Sequence, residues 1–123
     1  MKLLLDTHIF LWWNAGDPKL PASMRDEIRS DQNTVFVSAV SVWEIAIKRA
    51  SGKLAFDLSI GKAIAGHGFS ALDISVDHAE WAGALPALHH DPFDRLLVSQ
   101  AQIEGLVLAT VDAQVLQYQV RHL

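Results

Sequence analysis

The chain has 123 residues, 50% of them hydrophobic and 20% charged, with a formal net charge of −4. That length suits one domain with a single core, and the composition excludes a disordered or fibrous chain. The absence of cysteine excludes a disulfide scaffold, a zinc knuckle and thiol catalysis together, so any metal must be held by oxygen or imidazole.

No apolar run approaches the roughly 20 residues that cross a bilayer. The N-terminus also lacks a basic region followed by a small-residue cleavage site, so a soluble cytoplasmic protein with no membrane partner is expected. Residues 2–5 read as a short buried strand, and Thr7 to Asn14 as a helix closed by Ala15-Gly16-Asp17-Pro18. Pro21 to Ser30 has helical spacing, with Pro21 where a missing N–H does no harm. Thr34 to Val37 (TVFV) is a second strand, rich in β-branched residues and too short for a helix. Ser38 or Ser41 then opens the helix VSVWEIAIKRAS, which stops at Gly52. Ser59 to Ala65 reads as helix, Phe69 to Ile74 as extended chain, and Asp77 to Ala84 as a short helix with Ser75 as candidate cap. In HHDPFDRLLVSQAQIEG, Asp91 caps, Pro92 takes the first helical position and Gly105 ends the helix. Leu106 to Ala109 is another buried strand, followed by a brief helix through Tyr118 and a final strand over Val120 to Leu123. Strands separated by helices predict a three-layer α/β/α fold with a central, mostly parallel sheet, in one domain over residues 1–123.

In an open parallel sheet, chemistry collects where the strands end. Asp6 follows the first strand and Asp112 follows LVLAT, while Glu44 and Asp94 lie on the first turns of their helices. A parallel sheet carries all of them to one side. Hard oxygen donors in that number suit Mg²⁺, and without metal they would repel one another and raise each other's pKa. A cation held there makes water acidic enough to attack phosphorus, so the reaction class is metal-dependent phosphodiester hydrolysis.

Each acid also has a local explanation. Ser41-Val42-Trp43-Glu44 is an S-x-x-E capping box. Asp91 and Asp94 both suit a helix N-terminus, with Asp91 read first as a cap, and Asp112 can serve a turn. Asp6, after a buried strand and with no basic neighbour, is hardest to explain locally. His89 and His90 adjoin without a third imidazole at fixed spacing, so they read as loop residues rather than a zinc site, with one of the two a candidate neighbour of the substrate. Trp12, Trp13, Trp43 and Trp81 read as core or interface aromatics, with the first pair a candidate dimer contact.

The stretches LLLDTHIFLWW, SAVSVWEIAIKRASGKL, HHDPFDRLLVSQAQ and LATVDAQVLQY, in that order, resemble the PIN-domain ribonucleases, and within them the VapC-type toxins of bacterial toxin–antitoxin pairs. The likeness spans nearly the whole chain, with residues 53–80 unspecific. It implies that Asp6, Glu44, Asp94 and Asp112 are the catalytic residues and hold Mg²⁺ or Mn²⁺. It also implies endonucleolytic cleavage of RNA, a homodimer, and a small antitoxin that reaches the active site and binds operator DNA. Thr7 and Thr110 would orient the acids, and Ser38, Ser41 and Asp91 could do so beside their capping roles. Where the family commonly has an aromatic after the last acid, this chain has Val115, which leaves the packing of the last helix open.

A net charge of −4 argues against nucleic acid unless the acids are gathered on a metal: with four so placed, the other ten balance the ten Lys and Arg. Lys48, Arg49 and Lys53 near the end of the Glu44 helix, with Arg95 after Asp94, read as a basic rim guiding phosphates. Lys48 and Arg49 also fit a helix end that complements the C-terminal dipole. A haloacid dehalogenase-type phosphatase needs a second Asp where His8 stands, and a receiver domain needs a late Lys, whereas no Lys follows Lys62. A non-catalytic PIN-fold module that binds RNA or protein is the remaining alternative.

Overall fold

The computed structural model describes all residues, 1–123. Leu3, Leu4 and Leu5 are wholly buried and form β1 (Lys2–Leu5) with Lys2 exposed at its start. Asp6 then turns the chain directly into α1 (Thr7–Ala15), which ends on Gly16 in the left-handed region at φ 63°, where a side chain would be strained. After α2 (Ala22–Arg29), the β-branched run forms β2 (Thr34–Ser38) and leads into α3 (Ala39–Ala50). The remaining elements are α4 (Ile60–Gly66), β3 (Ser70–Leu72), α5 (Val76–Ala84), α6 (Pro92–Glu104) and β4 (Val107–Ala109).

The sheet runs β3-β2-β1-β4 and every pairing is parallel. Alternation along β1 divides the interior in two, because successive strand side chains point to opposite faces. Leu3 and Leu5 pack with Ile9, Phe10, Met24, Ile28, Ile45 and Ile64, covered by α1 to α4. Leu4 packs on the other face with Val40, Leu97, Val98, Leu108 and Tyr118. Each fully buried side chain of this size contributes on the order of 1.5–3 kcal/mol relative to exposure. The result is the expected three-layer α/β/α arrangement. Val115 joins the second cluster, so an aliphatic side chain seats the last turn, whose packing the sequence leaves open.

Several expected boundaries move. The cap of α3 is Ser38, with extended backbone and its hydroxyl accepting from the Val40 N–H at 3.0 Å; Ser41 lies inside the helix. The Ser41–Glu44 capping box is therefore absent, and both side chains are free for other partners. The extended segment after Phe69 pairs only over Ser70–Leu72, at the sheet edge. The brief C-terminal helix is a single 3₁₀ turn, Val115–Gln117. The final strand reduces to one bridge, because only Leu108 exchanges bonds with the returning chain, from its N–H to Arg121 and from the Leu123 N–H to its carbonyl.

Candidate metal centre

Register sets the site. Leu5 pairs with Val37 on one side and Ala109 on the other, so Asp6, Ser38 and Thr110 come level at the carboxyl edge. Asp6 continues the ladder, its N–H donating to the Ala109 carbonyl at 3.0 Å. Its side chain caps α1, with Oδ1 accepting from the Ile9 N–H at 2.9 Å, and Oδ2 accepts from the Thr110 hydroxyl. Each oxygen keeps a further acceptor site. The residue is only 5% exposed, and no basic side chain forms an ion pair with it. Burial pushes its pKa above the usual carboxylate value, opposed by the Thr110 and Ile9 hydrogen bonds and by His8, and reinforced by repulsion from Asp112.

Asp91 and Asp94 divide the N-terminus of α6. Asp91 is the cap, its Oδ1 accepting from the N–H groups of Phe93 (2.9 Å) and Asp94 (3.2 Å). Asp94, three residues later, turns toward the sheet edge. Its pKa is pushed up to about 6, first by burial, then by repulsion from Asp91, with His89 pulling it down and Asp112 adding further repulsion. Asp112 sits in a turn: its N–H donates to the Thr110 hydroxyl at 3.1 Å and its Oδ1 accepts from the Gln114 N–H at 2.9 Å. Thr110 thus touches both Asp6 and Asp112. Asp112 is within electrostatic reach of both Asp6 and Asp94.

Glu44 stands differently. It is buried on α3, and its Oε2 accepts from the Lys48 ammonium at 2.9 Å, an i,i+4 pair. One turn earlier on the same helix, the Ser41 hydroxyl accepts from Thr7 at 2.9 Å, which ties α3 to the residue after Asp6. Lys48 is therefore engaged with an acid of the edge.

Of the residues read as a basic rim, Lys48, Arg49 and Arg95 hold partners within the chain, and Lys53 is exposed. Arg95 spends its guanidinium on carbonyl oxygens of Ala82, Leu85 and Pro86 at 2.8–3.0 Å and on the Tyr118 hydroxyl at 3.1 Å. It fastens the end of α5 to α6. Lys53 is exposed beyond the C-terminus of α3, whose last residue lies about 9 Å of helix axis past Glu44. Arg49 donates to the Leu58 carbonyl.

Two side chains join the acids: His89, one of the two histidines read as near substrate, and Tyr118, which the sequence did not single out. His89 is a loop residue as expected, yet it is buried, with Nε2 at 3.3 Å from Asp94 Oδ2 and Nδ1 at 2.8 Å from the Tyr118 hydroxyl. Arg95 donates to that hydroxyl, which leaves the phenolic proton for His89 Nδ1 and the ring Nε2–H for Asp94. The sequence signal was a His five residues before an acid on a helix start; its burial depends on Tyr118, far along the chain.

As the side chains stand, no group of three acids or imidazoles is drawn tightly enough together to hold an ion. The donor set nevertheless fits a hard divalent cation. Asp6 and Asp112 have no basic partner, Asp6 and Asp94 are held against their charge by burial, and every available donor is oxygen apart from His89. Such carboxylates gain from a cation what the fold withholds.

A family profile described as PIN domain matches residues 3–122. Among solved structures, the chain is similar to one in VapBC2 from Rickettsia felis bound to a DNA fragment from their promoter, at 15% identity and TM-score 0.70, covering 100% of this chain and 98% of that one. VapBC-1 from nontypeable Haemophilus influenzae matches at 20% identity and TM-score 0.68, covering 100% and 97%. A toxin–antitoxin complex from Klebsiella pneumoniae matches at 20% identity and TM-score 0.68, covering 98% and 95%. At these identities the likeness to the solved structures is one of fold. No curated protein sequence matches significantly.

Proposed function

The chain belongs to the PIN domain family, and from that premise we propose that it is a Mg²⁺- or Mn²⁺-dependent endoribonuclease, the toxin of a toxin–antitoxin pair. The observation that carries this reading is Asp6: a buried carboxylate without an ion-pair partner, at the end of an inner strand, with Asp112 in electrostatic reach of both it and Asp94. Asp6, Asp94, Asp112 and Glu44 would hold the metal. Bound there, a divalent cation supplies an acidified water for attack on phosphorus and offsets the charge that builds on the phosphate oxygens.

The chain's own residues do the positioning. Thr110 fixes one oxygen of Asp6 and the backbone of Asp112, so both acids are set by one hydroxyl. Asp91 keeps the N–H groups of the first α6 turn occupied and leaves Asp94 free to face the edge. His89 orients Asp94 from behind. Thr7 and Ser41 hold α1 and α3 together and so fix where Glu44 stands. A small antitoxin partner is supported by the fold neighbours, which are named as toxin–antitoxin complexes. We propose a homodimer and a cytoplasmic site of action on the family likeness; no helix is long and apolar enough to cross a membrane.

A non-catalytic PIN-fold binding module is the second reading, favoured by one observation: Lys48 already neutralises Glu44. Cleavage of total cellular RNA by the purified protein, freed of antitoxin, separates the two. Discrete new 5′ ends that require Mg²⁺ or Mn²⁺ and disappear with EDTA and in Asp6→Asn are the expected result. A folded wild-type protein that cuts nothing would leave the binding module standing.

A further inference from the structure

Beside the acids lies an aromatic pair that the nuclease reading does not use. Trp43 precedes Glu44 on α3, and Phe93 precedes Asp94 on α6. Their rings meet edge to face, with centroids 5.2 Å apart and planes at 69°. Glu44 is buried while Trp43 turns outward, since successive helical residues are about 100° apart, and Phe93 is half-buried against the second core cluster. Trp43 remains 58% exposed, and Phe93 covers at most one indole face. What sets Trp43 apart from the chain's other exposed hydrophobics is its place next to Glu44 and against the residue before Asp94.

The electrostatics around the pair narrow what it could receive. Lys48 is bound to Glu44, Arg95 to backbone carbonyls, and Lys53 stands past the far end of α3. With four acids given to the metal, the other ten only balance the ten Lys and Arg, and with Lys48 and Arg95 engaged the surface beside the acids adds little phosphate attraction of its own. Stacking of a base on an aromatic face needs no basic surface and is available to unpaired nucleotides alone.

We propose that Trp43, buttressed by Phe93, is the stacking platform for an unpaired base next to the bond that is cut. This rests on the nuclease reading and adds a positioning contact to it. Trp43 touches the substrate's base and none of the reacting atoms.

The test uses the full chain and a single-stranded RNA oligonucleotide carrying a mapped cut, with an abasic nucleotide placed in turn at each of the two positions on either side of it. In the wild-type protein, one of these positions should lower kcat/KM by about 5- to 100-fold. Trp43→Ala should show a similar loss on the intact oligonucleotide, expressed mainly in KM, and no further loss at that abasic position. Trp43→Phe should recover most of it. Binding of the same labelled oligonucleotide to EDTA-treated protein should weaken in Trp43→Ala, with a shallow salt dependence in both proteins. The proposal is overturned if no abasic position matters, or if the abasic loss is undiminished in Trp43→Ala. It is equally overturned if Trp43→Ala changes only the oligomeric state or antitoxin binding, which would make the pair a protein contact. Oligonucleotide binding that depends on Trp43, without any cleavage by the wild type, would instead remove the nuclease reading and retain the platform.

Discussion

His78, which packs against α6 toward the end away from Asp94, is as buried as Asp6, yet nothing about it is left over. Its Nδ1 accepts from the Ser75 N–H at 2.9 Å and from Gln100 at 3.3 Å, its Nε2 lies 2.9 Å from Glu104, and its carbonyl accepts from Ser99 at 2.8 Å. Ser75 and His78 complete a reciprocal capping box for α5. In that cluster only Gln100 Oε1 lacks a partner. At the sheet edge, by contrast, Asp6 is buried and Asp94 half-buried against their own charge, with Asp112 repelling both. A polar cluster whose donors and acceptors balance is a piece of scaffold. One with an excess of a single sign is maintained by the scaffold for something that arrives later.

The contrast is broken most sharply at Asp6. Asp6→Asn removes the charge while keeping an acceptor for the Ile9 N–H, and RNA cleavage should fall by about 10²-fold or more. The metal-free variant should melt no lower than wild type, and the rise in Tm that Mg²⁺ gives the wild type should vanish; a large loss of metal-free stability would mean that Asp6 is scaffold. Thr110→Val is next: metal affinity by calorimetry should drop about 10- to 100-fold, since one hydroxyl sets two acids.

Proton competition follows from the same burial. Between the ordinary carboxylate value of 3.8 and about 6, folded Asp94 keeps a proton that the unfolded chain has released. Metal-free stability should therefore decline as pH rises through that window. Mg²⁺ affinity should rise across it, by up to about tenfold per unit, and level off above pH 6. A flat affinity between pH 5 and 7 would exclude Asp94 from the metal. The smallest effect on catalysis belongs to His78→Leu, which should cost about 1–3 kcal/mol in urea unfolding and leave the cleavage rate of the folded fraction unchanged.

Much of this was legible in the chain itself. β1, β2 and the DPFD helix start are local patterns, and a parallel sheet alone is enough to bring Asp6, Asp94 and Asp112 to one edge. What escaped was decided by one extra residue or by distant partners. Ser38 and Ser41 both precede a helical pattern; Ser38 wins because β2 runs one residue further than its β-branched core. Arg95 looks like a substrate contact from its place beside Asp94, but the end of α5 offers it carbonyls that no local pattern reveals. His89 is a loop residue in sequence and a buried one in space, because Tyr118 packs over it.

Asp6 also belongs to the ladder of the central strand. Its N–H bonds Ala109 at the end of β4, a three-residue strand at the sheet edge that a single bridge to the returning chain covers. Fraying of that edge frees the Asp6 amide while the rest of the sheet stands, so its hydrogen should exchange more slowly than at the exposed turn of Gly52 and faster than global unfolding allows. The reactive geometry is then lost and regained within the lifetime of the folded protein. A ligand that joins Asp6 to Asp112 would hold that edge shut.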